Sequence, residues 1–176
     1  LEHEDLPPED WLERFRLPDE ERMRVVFVDS QNIAGSVLNH AVAVNRHTPH
    51  RALALCRTRH PYIGYPQEES RAVFVDEGIS QNLLEELEAA DCFVFFEDDD
   101  EETPLANLDL RPFVQGRKVV HLYIGQRVHR DVARHQRPGR RVLTPLPHLL
   151  RIFPQAHFYA GFPPTTLEDV ELRPPL

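Results

Sequence analysis

The segment from Met23 to His47 constrains the fold most strongly. It begins with a short apolar run, Val25–Val28, which passes through a polar loop into a stretch where Val37, Ala41 and Val44 recur at helical spacing. A strand that is apolar on both faces is typical of the middle of a parallel sheet, where helices cover both sides. The sequence therefore predicts a strand, a loop and a helix in direct succession.

The same alternation continues along the chain. The patterns predict strands at 24–29, 51–57, 72–75, 91–96, 118–123, 141–143 and 156–159, and helices at 36–47, 80–90, 127–136 and 146–152. Strands that alternate with helices need crossover connections, which place neighbouring strands parallel. We therefore predict an α/β, Rossmann-like three-layer domain with a mainly parallel sheet.

Composition divides the chain into three parts. Residues 1–22 are a charged appendage, in which Trp11 and Phe15 at helical spacing indicate a short helix docked on the domain. Residues 23–162 form the Rossmann-like domain. Residues 163–176 are Pro-rich and polar, and we interpret them as a tail or linker without a further element.

Overall composition is that of a soluble globular chain, with 41% hydrophobic and 28% charged residues among 176. No apolar stretch approaches the roughly 18 residues of a membrane span, and no signal peptide is apparent, so we expect a cytoplasmic protein. Cys56 and Cys92 lie in apolar runs and lack a CxxC spacing, which indicates buried thiols. The net charge of −9 argues against general nucleic-acid binding.

Charge is nevertheless distributed unevenly. Glu97–Glu102 is a run of six acids, for which a solvated loop is expected, because consecutive acids point in different directions and no calcium-loop spacing is present. We predict no metal site there.

Arg127, Arg130 and Arg134 recur every three or four residues, which would place three guanidinium groups on one helix face for phosphate or carboxylate recognition. The alternative is a solvated face that neutralises the acid run.

Ligands of doubly wound folds bind at the carboxyl ends of the strands. The loop after the first strand lacks the glycines of a dinucleotide fingerprint and the lysine of a P-loop, so a standard cofactor site is disfavoured. Gly35 either lets a ligand approach the first helix or simply permits close packing. The predicted ligand-binding residues at these strand ends are Asn32, Ala34, Gly35, Ser36, Glu97, Gly125, Gln126, Arg127 and Arg130. No nucleophile motif is present, so no catalytic residue is assigned.

The stretch from Arg24 to about Thr165 resembles the N-terminal, acceptor-side domain of GT-B fold glycosyltransferases. The resemblance lies in NIAGSVLNHAVAVNRHTPHRALAL after the first strand, in LLEELEAADCFVFFE, and in GRKVVHLYIGQRVHR. Two positions depart from the family pattern. Gln126 and Arg127 stand where the family commonly has a serine and an acidic residue, and Phe96–Glu97 stands where many relatives have a histidine.

The resemblance implies a domain that binds a glycan or other acceptor. In this family a second nucleotide-fold domain supplies most of the sugar-nucleotide site, so this domain alone is expected to bind no cofactor and to be inactive. One alternative is a non-catalytic protein-interaction domain on the same fold. Another is a flavodoxin-like nucleotide or flavin binder.

Overall fold

The computed structural model describes residues 21–31, 35–59, 63–64, 72–97, 99–125, 127–159 and 171–172. The strands are β1 Arg24–Gln31, β2 Arg51–Thr58, β3 Ile63–Gly64, β4 Ala72–Phe74, β5 Cys92–Phe96, β6 Lys118–Leu122, β7 Val142–Thr144, β8 His157–Phe158 and β9 Glu171–Leu172. The α-helices are α1 Ser36–His47, α2 Gln81–Glu88, α3 Arg111–Val114, α4 Val132–His135 and α5 Leu149–Ile152. Two 3₁₀ segments span Val75–Glu77 and Arg127–Asp131.

Seven strands form the main sheet in the order β4-β2-β1-β5-β6-β7-β8, and every neighbouring pair is parallel. The predicted α/β fold with a parallel sheet is therefore confirmed. The chain builds outward from β1 to β2 and β4, then returns to place β5 on the other side of β1. This reversal of strand order creates a switch point between β1 and β5, where α/β sheets commonly bind ligands.

The two faces of the sheet carry separate apolar cores. Phe27 of β1 packs in a cluster with Leu38 of α1, whereas its neighbour Val26 packs in a second cluster with Leu83 and Leu87 of α2. This alternation follows from the two-residue period of a strand. Helices therefore cover both faces, which gives the three-layer arrangement.

A capping serine stands directly before α2. Ser80 is the N-cap, and its hydroxyl accepts a hydrogen bond from the backbone N–H of Leu83 at 3.1 Å. Such a cap satisfies a donor that the helix itself leaves unpaired, and it stabilises by about 1 kcal/mol.

The predicted helix at 127–136 is divided. Arg127–Asp131 is a 3₁₀ segment, and α4 begins only at Val132 because the side chain of Asp131 caps the N–H of Arg134 at 3.1 Å. The prediction of one continuous helix was therefore wrong, because the segment divides at Asp131.

Two further sequence expectations concern the tail and the cysteines. Glu171–Leu172, within the tail expected to lack an element, pairs antiparallel with β3. Cys56 and Cys92 are both buried free thiols, as predicted. The docked helix expected in residues 1–22 lies almost entirely outside the described residues. Among the described helices, none is both long and apolar enough to span a bilayer.

Candidate functional site

Three loops meet at the switch point, because β1, β5 and β6 are neighbouring parallel strands that end at the same edge of the sheet. Asp29 and Ser30 lie at the end of β1. Glu97 follows β5 directly, and the segment beginning at Ile124 follows β6. Glu97, Gly125 and Arg127 are predicted site residues that follow β5 or β6, and the structure places them at this edge.

Glu97 is a buried acid in a strained backbone conformation. It is 5% exposed and has a φ of 56°, in the left-handed region that non-glycine residues rarely adopt. Its Oε1 accepts a hydrogen bond from the backbone N–H of Ile124 at 2.9 Å. Strain of this kind costs on the order of 1 kcal/mol and is often found at functional sites.

Gly125 lies directly against this carboxylate. A Cβ at position 125 would be 2.9 Å from Oε1 of Glu97, closer than such atoms can approach. Any larger residue at position 125 would therefore have to displace the Glu97 carboxylate. Both residues were predicted from their positions at strand ends, and the structure places them in contact.

Asp29 and Arg127 form an ion pair between the end of β1 and the loop after β6. The distance between Arg127 Nη2 and Asp29 Oδ1 is 2.7 Å, and the side chains are 21% and 1% exposed. Burial raises the pKa of Asp29 well above its usual value, Arg127 opposes this effect, and the nearby carboxyl group of Asp99 adds to it.

Asp99 is fixed by the strand beside it. Its Oδ2 accepts from the backbone N–H of Ser30 at 2.7 Å, and its Oδ1 accepts from the Ser30 hydroxyl at 2.5 Å. The loop after β5 is thereby attached to the end of β1. Asp29, Ser30 and Asp99 were not among the predicted site residues, although their position at strand ends was a signal that could have identified them.

Asp100, further along the acid run, binds two arginines of the segment 127–141. Arg134 Nε donates a hydrogen bond to Asp100 Oδ2 at 2.8 Å, and Arg134 Nη2 forms an ion pair with Asp100 Oδ1 at 2.8 Å. Arg140 lies 3.4 Å from the same carboxylate. Burial by itself would raise the pKa of Asp100, but hydrogen bonds and charge from Arg134, with help from Thr103 and Arg140, hold that pKa well below its usual range. The expectation of a solvated loop was wrong for Glu97 and Asp100, which are 5% and 1% exposed.

The arginines are therefore largely engaged within the protein. Arg127 pairs with Asp29, Arg134 with Asp100, and Arg137 with Glu102. Arg134 and Arg137 thus neutralise acids of the run, as in the alternative prediction, whereas Arg127 pairs with an acid outside it. Arg130 is exposed.

A buried polar cluster under this edge was not predicted. The Tyr123 hydroxyl lies 2.9 Å from His135 Nδ1, and Arg140 Nη1 lies 3.3 Å from the same hydroxyl. His121 Nε2 is 3.4 Å from a carboxylate oxygen of Glu101. Burial, with Arg140 as the second cause, lowers the pKa of His121 to about 3. These residues come from separate segments of the chain, so the sequence offered no local signal for their association.

The first loop is described only in part. Gly35 has a φ of 68° and is the N-cap of α1, which begins with Ser36. The predicted site residues Asn32, Ala34 and Gln126 lie outside the described residues. One turn into α1, His40 contacts the Ser36 carbonyl through Nδ1 at 2.6 Å and the Tyr159 hydroxyl through Nε2 at 2.9 Å.

In the part of the chain that the structure describes, no group of three or more histidine, cysteine, aspartate or glutamate side chains is arranged to hold a metal ion. Scanning the chain against protein-family models gives no match. Searches of curated proteins and of solved structures also give no match. The fold and the site geometry thus define the class of the molecule, a Rossmann-like α/β domain with a polar edge at its switch point.

Proposed function

We propose that this chain is the acceptor-side domain of a GT-B-type glycosyltransferase, and that the carboxyl edge of its sheet binds a glycan or other acceptor. The observation that carries the proposal is the joining of three loops at the switch point. Glu97 packs against Gly125, and Asp29 binds Arg127. Each contact links strand ends that are far apart in sequence.

The chemistry of this edge suits a polyhydroxylated ligand. Carboxylates accept hydrogen bonds from hydroxyl groups and guanidinium groups donate to them, and charged partners form the stronger hydrogen bonds. Because Glu97 and Arg127 are already held by protein contacts, a ligand would meet preorganised groups and lose little affinity to side-chain ordering. The order of the motifs along the chain supports the same assignment.

In this proposal the domain does not transfer sugars alone. A second domain, carrying the sugar nucleotide, would complete the site across the cleft. The departures from the family pattern at Glu97 and at Arg127 then become specificity features, because both side chains belong to the contacts that join the loops.

Ligand-observed NMR on the full chain tests the proposal, with a panel of mono- and oligosaccharide acceptors and a panel of sugar nucleotides. We expect acceptors to bind and sugar nucleotides alone to give no response. Glu97→Gln should weaken acceptor binding about tenfold, the equivalent of about 1.4 kcal/mol. Glu88→Gln, the same change on an exposed residue of α2, serves as the matched control.

Absence of any acceptor response would contradict the proposal. An equal loss in Glu97→Gln and Glu88→Gln would also contradict it, because the effect would then not depend on the carboxyl edge.

A protein-interaction domain on the same fold is the second candidate. Phe158 is 53% exposed on β8, which ends the main sheet among the described strands. An apolar side chain on an edge strand favours pairing with another protein. Light scattering on purified complexes distinguishes the candidates. A complex lost in Phe158→Ser but retained in Glu97→Gln would favour this second function.

A further inference from the structure

The amino edge of the sheet, opposite the candidate site, carries a row of cations. Arg51 and Arg24 open β2 and β1 and are register partners, Lys118 opens β6, and Arg141 directly precedes β7. All four are exposed. Asp91 lies among them, and its carboxylate accepts a hydrogen bond from the backbone N–H of Arg24. On a chain of net charge −9 this edge is locally basic.

An open groove lies within this edge. A cavity of about 420 Å³ is lined by Arg24, Arg51, Val26, Ala52 and Leu53, with Glu86 and Asn45 on its sides. An adjoining cavity of about 250 Å³ reaches Arg22 and Met23. We call these two cavities together the amino-edge groove. It combines apolar walls with guanidinium groups, and it extends to the point where the described part of the chain begins.

The residues that precede this point have complementary chemistry. Residues 1–20 lie outside the described residues. Their sequence contains eight acids and two arginines, and its apolar side chains include Trp11, Leu12 and Phe15 at helical spacing. An acidic segment with one apolar face matches a groove with apolar walls and a basic rim.

We propose that residues 1–20 bind in the amino-edge groove of their own chain, with Trp11 and Phe15 against the apolar wall and the acids beside Arg24 and Arg51. Chain length permits this arrangement. Trp11 precedes Glu21 by ten residues, and an extended chain covers roughly 3.3 to 3.6 Å per residue, so the segment reaches any part of the groove. The proposal is independent of the function assigned to the opposite edge.

Trp11 is the only tryptophan in the chain, so its fluorescence reports on this segment alone. In the full chain we expect blue-shifted emission and weak quenching by acrylamide. Arg24→Glu combined with Arg51→Glu should shift the emission to that of an exposed indole and raise the quenching constant to that of a peptide of residues 1–20. Arg57→Glu combined with Arg130→Glu makes the same charge change at the carboxyl edge and should leave both signals unchanged. Circular dichroism verifies that each variant is folded.

Three results would overturn the proposal. Emission typical of an exposed indole in the unmodified chain would show that the segment is not bound. Shielding that persists in the Arg24→Glu, Arg51→Glu variant would place the segment elsewhere. Shielding that disappears on dilution would show that a second copy supplies the segment.

Discussion

Arg127 Nη2 lies 2.7 Å from Asp29 Oδ1, although the two residues are 98 positions apart in sequence. The pair spans from the end of β1 to the loop after β6, on either side of the loop that follows β5. It therefore fixes the end of β1 relative to the loop after β6, and its removal should change both stability and ligand binding.

Arg127→Ala should lower the free energy of unfolding in a pH-dependent way. Breaking a buried ion pair costs about 3 to 5 kcal/mol, and we expect the lower end because Arg127 is 21% exposed. The folded-state pKa of Asp29 is raised well above the ordinary value of 3.8, so its contribution to stability is present below that pH and is lost as pH rises through the folded pKa. Urea denaturation from about pH 4 to about pH 8 should show a penalty that grows with pH.

Asp29→Asn is the control for this prediction, because it removes the titrating group. Its unfolding free energy should vary less with pH over the same range. A loss of unfolding free energy in Arg127→Ala that is constant with pH would contradict the raised pKa of Asp29.

Asp100→Asn should be strongly destabilising at neutral pH. It leaves Arg140, whose side chain is 3% exposed, without its carboxylate, and we expect a loss of about 3 to 5 kcal/mol. The folded pKa of Asp100 is depressed, so its stabilisation is present above 3.8 and is lost as pH falls below that value. The difference in unfolding free energy between Asp100→Asn and the unmodified protein should therefore become smaller in acid.

The matched control is Glu102→Gln, which breaks the exposed pair with Arg137. Exposed pairs contribute little, so this variant should unfold nearly as the unmodified protein does. A similar loss of unfolding free energy in the two variants would contradict the prediction that burial makes the Asp100 pairs more stabilising than the exposed pair.

Gly125→Ala should displace the Glu97 carboxylate, because the added Cβ would lie 2.9 Å from Oε1. The hydrogen bond from Ile124 N would be lost, and hydrogen bonds to charged groups contribute about 1.5 to 3 kcal/mol. We expect a fall of about 2 kcal/mol in the unfolding free energy, together with weaker acceptor binding.

A double-mutant cycle tests the mechanism of this effect. Glu97→Asp shortens the side chain by one methylene, so Gly125→Ala should be less damaging in its presence. Strictly additive effects would mean that the two residues do not interact.

His121 should make the protein less stable in acid. Its folded pKa is lowered from 6.5 to about 3, so the stabilisation associated with the neutral ring is present above 6.5 and is lost as pH falls toward 3. In His121→Phe the ring can still pack against Phe95, whose ring centroid is 5.8 Å away, and the pH dependence over this range should be smaller. Urea titrations at several pH values test this, with the exposed His129→Gln as control. The prediction would be contradicted if the unfolding free energy of His121→Phe changed with pH as steeply as that of the unmodified protein.

Much of the fold could be predicted because its determinants are local. The apolar run at Val25–Val28 and the one at Cys92–Phe96 became central strands. Ser80 became the cap of α2. Each of these features depends on residues close together in sequence, whose spacing reports directly on the period of a strand or helix.

The sequence was less informative where two local signals competed. Arginines at helical spacing predicted one helix, but Asp131 between them acts as a cap and begins a new helix at Val132. A capping residue and a helical repeat can fall within the same few positions. Which of the two determines the local structure then depends on the packing of the whole segment.

The sequence by itself determined the class of fold, the order of its elements and the loops that end at the carboxyl edge. Tertiary structure alone decided the partners of the charged side chains, such as Arg127 with Asp29 and Arg134 with Asp100. The physical reason is that a parallel sheet brings strand ends together that are tens of residues apart, so ion pairs across its edge depend on strand order and burial. Neither of these is expressed in the local spacing of residues.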